Sequence, residues 1–233
     1  MKLATLTFTL AILVIIVVAV YGIDKKTNPY RGLVTSIEVQ SDEETVNLLQ
    51  TELATWLAAI NASESVGEKP DLNLFGLAAT NAYYLGDLVQ ARELYEKYFE
   101  YHSINPVAWN NYGNILKKME DYETAEAAYL KALELDPQFE EYYRDVIDLY
   151  QDVWPEEKND RIFELLEANV EINGQSQWNM VSLAKWYIRN NDCERAVDYY
   201  KIALAISMNA TESQDIIDNL KADIESTKTA CTE

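Results

Sequence analysis

A period of 34 residues runs through the middle of the chain and constrains its fold more than any other feature. When the sequence is shifted on itself by this distance, large residues fall on large residues and small residues on small ones. The superposed sets are Phe75, Trp109 and Tyr143; Ala78, Tyr112 and Val146; Ala91 and Ala125; and Tyr95 and Tyr129. Apolar residues also recur at spacings of three and four, which is the pattern of amphipathic helices.

Composition supports helices and restricts the partners. The chain has only 7 glycines and 5 prolines, too few for the turns that many short strands need. Its 39 acidic and 19 basic side chains give a net charge of -20, which repels nucleic acid and anionic lipid over most of the molecule. A basic or neutral protein partner is easier to accommodate, although the acidic surface can equally serve solubility alone.

The clearest repeat, residues 106–139, resembles the tetratricopeptide-repeat (TPR) family. The matching residues are Trp109, Tyr112, Gly113, Leu116, Ala125, Tyr129, Ala132 and Pro137. Gly113 and Ala125 are small where two helices of a hairpin approach closely, and the aromatic residues fill the seam. Pro137 ends the second helix, because the residue before a proline is steered away from the helical region.

The sequence therefore predicts an all-α protein: a TPR-type α-solenoid of helical hairpins with flanking helices, preceded by a single transmembrane helix. A capping box at Ser41–Glu44 starts the first flanking helix, and the third repeat is lengthened by about three residues near Trp154. The predicted segments are a membrane anchor (1–23), a linker (24–40), an N-terminal packing helix (41–66), four repeats within 72–210 (72–105, 106–139, 140–176 and 177–210) and a C-terminal capping helix (211–229).

Residues 3–23 carry no charged side chain and are long enough, at about 1.5 Å per residue, to cross a bilayer core of about 30 Å. We expect a retained anchor; a cleaved signal peptide and a buried helix are the alternatives. Lys25, Lys26 and Arg31 after the segment favour a cytoplasmic domain. The short N-terminal tail with Lys2 favours export, and an extracytoplasmic or periplasmic domain is the preferred prediction.

Sequence features of catalysis are missing. Cys193 and Cys231 are too far apart for a CxxC pair or a zinc cluster with the single histidine, His102, and their pairing as a disulfide stays open. The chain has no glycine-rich phosphate loop and no calcium-loop spacing. We therefore expect no enzymatic activity, no cofactor, no metal and no small-molecule substrate.

The TPR resemblance implies a concave groove, lined by the first helix of each repeat, that binds a partner peptide or helix. The groove residues carried over are Tyr83, Asn110, Asn111, Asn114, Lys117, Lys118, Arg144, Trp178, Lys185 and Arg189, with Asp145 and Asp148 at equivalent positions. Asparagine amides suit an extended backbone, and the cations suit acidic groups. A clamp for a C-terminal carboxylate is matched only in part, because the first repeat contributes no lysine, and solvated faces without a ligand are a further alternative.

These features predict a non-catalytic protein-interaction scaffold at a membrane, with a partner that presents an acidic or extended segment. The alternative function is a structural accessory subunit of a large membrane complex, with its surfaces covered by fixed neighbours.

Overall fold

The computed structural model describes residues 29–30, 32–38 and 42–230. It has ten helices in this part: α1 (Glu43–Ser65), α2 (Leu72–Tyr84), α3 (Leu88–Tyr101), α4 (Pro106–Lys118), α5 (Tyr122–Leu135), α6 (Glu140–Val153), α7 (Asn159–Asn173), α8 (Gln177–Arg189), α9 (Cys193–Asn209) and α10 (Gln214–Ala230). The β-structure of the described residues is limited to one isolated antiparallel bridge, between Ser36 and Asp87. The predicted all-α fold is confirmed for this part of the chain.

The predicted anchor, residues 3–23, lies outside the described residues. Over residues 29–30, 32–38 and 42–230, no helix combines the length and the apolar character needed to cross a membrane.

Helix α1 begins one residue later than the predicted capping box places it. Its N-cap is Asp42, whose side chain accepts a hydrogen bond from the Thr45 N–H at 2.8 Å. Because a carboxylate also interacts favourably with the positive end of the helix dipole, Asp42 is a good cap. Ser41 lies outside the described residues. The helix buries Leu53 and Ile60.

The helices α2–α3, α4–α5, α6–α7 and α8–α9 are the four hairpins, numbered one to four in chain order. The turns within hairpins one, two and four share a residue with positive φ. A residue with positive φ ends the first helix and is followed by an aspartate; the pairs are Gly86-Asp87 (φ 81°), Glu120-Asp121 (φ 62°) and Asn191-Asp192 (φ 59°). The aspartate then caps the second helix: Asp87 accepts from the Gln90 N–H at 2.9 Å, and Asp192 accepts from the Arg195 N–H at 3.1 Å. These turns connect the antiparallel helices with very few residues.

The third hairpin has a longer turn, Trp154–Lys158, which is held by a compact polar and aromatic cluster. The Lys158 ammonium lies 2.9 Å from Glu126 Oε1, and the Tyr150 hydroxyl donates to the same oxygen at 2.6 Å. The ammonium also lies 5.1 Å from the centre of the Tyr150 ring and 5.5 Å from that of Trp154, within cation–π range.

Contacts divide the described chain into two units. The first contains the described residues up to Tyr101 together with Lys118–Asp121, and the second contains His102–Lys117 and the described residues from Tyr122 onward.

In the first unit α1 packs on α2, and α2 packs on α3. Residues 32–38, which fall in the predicted linker, form an extended N-terminal strap. The Val34 N–H donates to the Met119 carbonyl at 2.9 Å, and the Ile37 N–H donates to the Gly86 carbonyl at 3.1 Å. The strap thus joins the turns of two successive hairpins.

In the second unit, helices from α5 to α10 pack on their neighbours in chain order. Hairpins three and four meet at a stack of Phe163 on Trp186, with ring centres 4.3 Å apart. A buried hydrogen bond between two side-chain amides joins α7 to α8: Asn169 Nδ2 donates to Asn179 Oδ1 at 2.7 Å. Cys193 is disulfide-bonded; the other cysteine of the chain, Cys231, lies outside the described residues.

The hairpin of α4 and α5 closes through a contact between Gly113 and the ring of Tyr129. A Cβ atom added at Gly113 would come within 2.6 Å of two ring carbons of Tyr129, closer than van der Waals contact allows. Tyr129 is only 1% exposed, so the ring has little room to move. Gly113 therefore sets the distance between the two helices.

We predict that Gly113→Ala lowers the free energy of unfolding by about 1 kcal/mol or more. Overpacking costs about 1 to 3 kcal/mol, whereas alanine in place of a helical glycine contributes only about 0.5 to 1 kcal/mol. Thermal unfolding measures the effect, with an expected fall of a few degrees in Tm for a domain of this size.

Gly76→Ala is the matched control, because Gly76 also lies inside a helix, α2, and a Cβ there meets no atom within 4 Å. We expect this variant to gain about 0.5 to 1 kcal/mol. Equal effects of the two substitutions would contradict the proposed close approach.

Candidate functional site

The first helices of hairpins two, three and four, α4, α6 and α8, are joined side by side through polar and aromatic contacts. Asn110 Nδ2 donates to Asp145 Oδ2 at 2.7 Å, and the Lys117 ammonium donates to Asp152 Oδ2 at 2.7 Å. The Arg144 guanidinium lies over the ring of Trp178, 4.9 Å from its centre. We call this surface the first-helix face; its residues are Asn110, Asn111, Asn114, Lys117, Glu141, Arg144, Asp145, Asp148, Asp152, Trp178, Lys185 and Arg189.

Acidic residues of α6 form a stripe along this face. Glu141, Asp145, Asp148 and Asp152 follow at spacings of four, three and four, which places them on one side of a helix. Burial raises the pKa of the Asp145 carboxyl, and the negative charges of Glu141 and Asp148 raise it further. The hydrogen bond from Asn110 lowers this pKa, but by less than burial raises it. Burial also raises the pKa of Asp148, with Asp152 acting in the same direction and Lys117 and Arg144 opposing it.

Two buried polar atoms on the face have no hydrogen-bond partner within residues 29–30, 32–38 and 42–230. They are the Oδ1 acceptor of Asn110 and the Nε donor of Arg144. Leaving a buried donor or acceptor unpaired costs about 1 to 3 kcal/mol. Asn110 and Arg144 come from adjacent first helices, and Asp145 of α6 contacts Asn110 directly. The unmet acceptor and the unmet donor are thus both buried beneath the surface of the face.

The other polar residues of the face differ in whether their side chains are free to bind a ligand. Asn114 accepts a hydrogen bond from the Tyr129 hydroxyl at 2.7 Å, which fixes its amide orientation. Asn111, Lys185 and Arg189 are exposed. The ion pairs found among the described residues involve neither Lys185 nor Arg189, so both cations are available to a ligand. Within the same described ranges, no group of His, Cys, Asp and Glu side chains could hold a metal ion.

Comparison with protein families identifies the hairpins. A tetratricopeptide-repeat model matches residues 106–139, which span α4 and α5, and a second one matches residues 180–213, which include most of α8 and all of α9. The chain contains tetratricopeptide repeats. The TPR fold suggests a protein–protein interaction scaffold.

Solved structures support the same fold. The crystal structure of MamA superposes with a TM-score of 0.61 at 15% identity, over 74% of this chain and 99% of MamA. YrrB gives 0.54 at 18% identity, over 70% and 80% of the two chains. Yeast Tom70 gives 0.60 at 16% identity, over 80% of this chain and 38% of Tom70. A search of curated protein sequences found no significant match.

Eight of the ten groove residues predicted from the TPR resemblance lie on α4, α6 and α8 in the second unit: Asn110, Asn111, Asn114, Lys117, Arg144, Trp178, Lys185 and Arg189. The other two belong to the first unit. Tyr83 is half-buried in α2 with its ring edge-on to Tyr84, and Lys118 is exposed at the end of α4. Their role in partner binding stays a prediction.

The acidic partners of the predicted cations were not foreseen. Lys117 pairs with Asp152, and Arg144 pairs with Glu141 at 3.3 Å. Two of the four cations on the first-helix face therefore already have an acidic partner within the protein. One signal could have found the first pair. Lys117 and Asp152, like Asn110 and Asp145, are 35 residues apart, close to the repeat period, so they occupy nearly equivalent positions on adjacent first helices.

We predict that Asp148→Asn stabilises the protein at neutral pH. Folding raises the pKa of Asp148, so the folded state favours the protonated carboxyl over the charged one. The contribution of Asp148 to stability is therefore fully present below its unfolded pKa and is lost as pH rises through its folded pKa. Removing the charge should raise the free energy of unfolding at pH 7 by about 0.5 kcal/mol or less, the range typical outside the core. Urea unfolding at pH 7 and pH 3 should show a gain that disappears in acid.

Asp152→Asn makes the same chemical change four residues along the helix and should have the opposite sign at pH 7. Asp152 forms an ion pair with Lys117, and exposed pairs contribute about 0.2 to 1 kcal/mol. If Asp148→Asn lowers the free energy of unfolding at pH 7, as Asp152→Asn should, the unfavourable burial of Asp148 is refuted.

Proposed function

We propose that this protein is a non-catalytic scaffold at a membrane, and that its first-helix face binds an extended segment of a partner protein. The observation that carries the proposal is the set of exposed polar side chains on this face, Asn111, Lys185 and Arg189, of which the two cations form no ion pair within the described residues. A peptide main chain supplies both an N–H donor and a C=O acceptor, so an extended segment can bond the exposed amide of Asn111 while its acidic side chains pair with Lys185 and Arg189. The TPR fold suits such a role.

Charge on the face supports a segment that carries acidic side chains. Lys117 and Arg144 are held by carboxylates of α6, whereas Lys185 and Arg189 on α8 are exposed and outside the intramolecular ion pairs of the described chain. Acidic groups of a ligand would therefore bind most favourably at α8. YrrB, one of the structures with the same fold, is described as a TPR protein with an unusual peptide-binding site, which is consistent with a peptide ligand.

Two features support a membrane location on the extracytoplasmic side. The first is the uncharged segment 3–23, whose length suits a bilayer crossing. The second is the disulfide at Cys193, because disulfides persist in oxidising compartments and are rare in the cytosol. We therefore keep a retained N-terminal anchor and an exported TPR domain as parts of the proposal.

The test of peptide binding uses Lys185→Glu with Arg189→Glu in the full chain. An array of short unstructured peptides, grouped as acidic, neutral and basic, serves as the probe. Charge-assisted hydrogen bonds contribute about 1.5 to 3 kcal/mol, so the variant should bind the acidic peptides about tenfold or more weakly. Fluorescence anisotropy at two salt concentrations measures affinity, and the loss should be smaller at high salt.

Lys201→Glu with Lys221→Glu is the control, because it changes the net charge equally but lies on α9 and α10, away from the face. Acidic peptides should bind it nearly as well as the unmodified protein. An equal loss in both variants would show that only overall charge matters, and no loss in either would exclude the first-helix face as the peptide site.

A structural subunit is the second candidate function, and exposed apolar side chains favour it. In the second unit, large apolar residues stand exposed at or beside each connection between hairpins: Ile104 (67%), Val107 (55%), Phe139 (51%), Ile172 (47%) and Met208 (55%). If these residues form one contiguous surface along the repeats, neighbouring proteins would be expected to cover it. These residues lie outside the first-helix face, so fixed neighbours could cover them without blocking peptide binding.

Extraction in mild detergent followed by affinity purification separates the two functions. A stoichiometric complex that survives a high-salt wash is expected for a subunit with an apolar interface, because salt screens charge but leaves apolar contacts intact. Phe139→Asp with Ile172→Asp should release those neighbours. A scaffold should instead lose its partners in salt and be indifferent to these two substitutions.

A further inference from the structure

We propose that the turn end of the first unit, the end that carries Gly86, Asp87 and Met119, faces the bilayer surface. This inference rests on the membrane attachment proposed above. It concerns the first unit alone and follows from the path of the N-terminal strap, residues 32–38.

Main-chain hydrogen bonds hold the strap at the turn end. The Ile37 N–H donates to the Gly86 carbonyl at 3.1 Å, and the Leu88 N–H donates to the Thr35 carbonyl at 3.2 Å, which together form the antiparallel bridge of Ser36 with Asp87. The Val34 N–H donates to the Met119 carbonyl at 2.9 Å. Because the strap pairs with the backbone of two separate turns, its position is fixed by more than one element.

Side chains extend this attachment toward the N-terminus. The Tyr30 hydroxyl donates to Glu93 Oε1 at 3.0 Å, and the Arg92 guanidinium lies over the Tyr30 ring, 5.3 Å from its centre. Arg92 also pairs with Asp121 at 2.9 Å, next to the second turn. Burial, with help from Glu93, raises the pKa of Tyr30 to about 12, so the hydroxyl remains a donor at physiological pH.

Chain length then limits how far the turn end can lie from the membrane. Seven Cα-to-Cα steps separate Ile23, the last residue of the apolar segment, from Tyr30, and fully extended chain covers about 25 Å in that length. Helix α3 has 14 residues and is about 20 Å long. The opposite end of the first unit therefore lies a further hairpin length away from the attachment point.

Charge indicates that the turn end faces the bilayer without inserting into it. Asp87, Glu93 and Glu120 are exposed near this end and would be repelled by anionic head groups. In the sequence between the apolar segment and the strap, Lys25, Lys26 and Arg31 supply the opposite charge. These charges favour a turn end that faces the head groups without entering them.

The test places a fluorophore at either end of the first unit in the full chain, reconstituted into phosphatidylcholine vesicles. A genetically encoded azido amino acid, coupled to the dye, replaces Gln90 near the turn end or Glu68 in the α1–α2 connection at the opposite end. Lipids with a nitroxide on the head group quench the dye at short range. Quenching at Gln90 should exceed that at Glu68 by about twofold or more, because the positions lie about 20 Å apart along the hairpin.

Val34→Pro with Ile37→Pro removes the two N–H donors of the strap and should abolish the difference between the two labels, with helical content unchanged by circular dichroism. Thr35→Pro is the control, because the bridge uses the Thr35 carbonyl and leaves its N–H unused; the difference should persist there.

Flotation of the vesicles makes the outcomes distinguishable. If the protein does not float with the lipid, the membrane attachment and the orientation are both wrong. If it floats but quenching is equal at the two positions, or stronger at Glu68, the attachment stands and the orientation is overturned.

Discussion

The contact of Gly113 with the Tyr129 ring is the constraint on which the rest of the best-defined hairpin depends. A ring that is 1% exposed and a residue without a side chain fix how closely α4 approaches α5. The hydroxyl of the same tyrosine donates to Asn114 Oδ1, next to Gly113 on α4, at 2.7 Å. Packing in the core therefore orients an amide on the first-helix face, the surface proposed to bind a partner.

The first-helix face combines opposite charges within short distances. Its four cations, Lys117, Arg144, Lys185 and Arg189, are matched by four of the five carboxylates of α6, so the face is electrically balanced in a chain of net charge -20. An incoming acidic group must compete with carboxylates already present at α6, but meets less competition at α8. Such internal competition favours selectivity over raw affinity, because a ligand must match positions and not only the sign of charge.

Much of the fold could be predicted from the sequence, since the 34-residue period, the small residues and Pro137 report on local helix packing. The cap of α1 was misplaced from Asp42 to Ser41, because two adjacent residues both have capping side chains. The strap could not be predicted, because its bonds to Gly86 and Met119 are made by main-chain atoms that no residue pattern specifies. The positions on α4, α6 and α8 followed from the repeat, whereas the ion pairs of Lys117 and Arg144 depend on the relative placement of helices, which periodicity alone does not give.

The lengthened turn of the third hairpin has a consequence for how such arrays change over time. Glu126, Tyr150 and Trp154 surround the Lys158 ammonium and supply locally the attachment that a tight turn would otherwise give. Extra residues are therefore absorbed at one edge, while α6 and α7 still pack on each other. An insertion that is held by its own contacts leaves the neighbouring repeats in register. The turns within hairpins are therefore places where the chain can become longer during evolution without disrupting the packing between repeats.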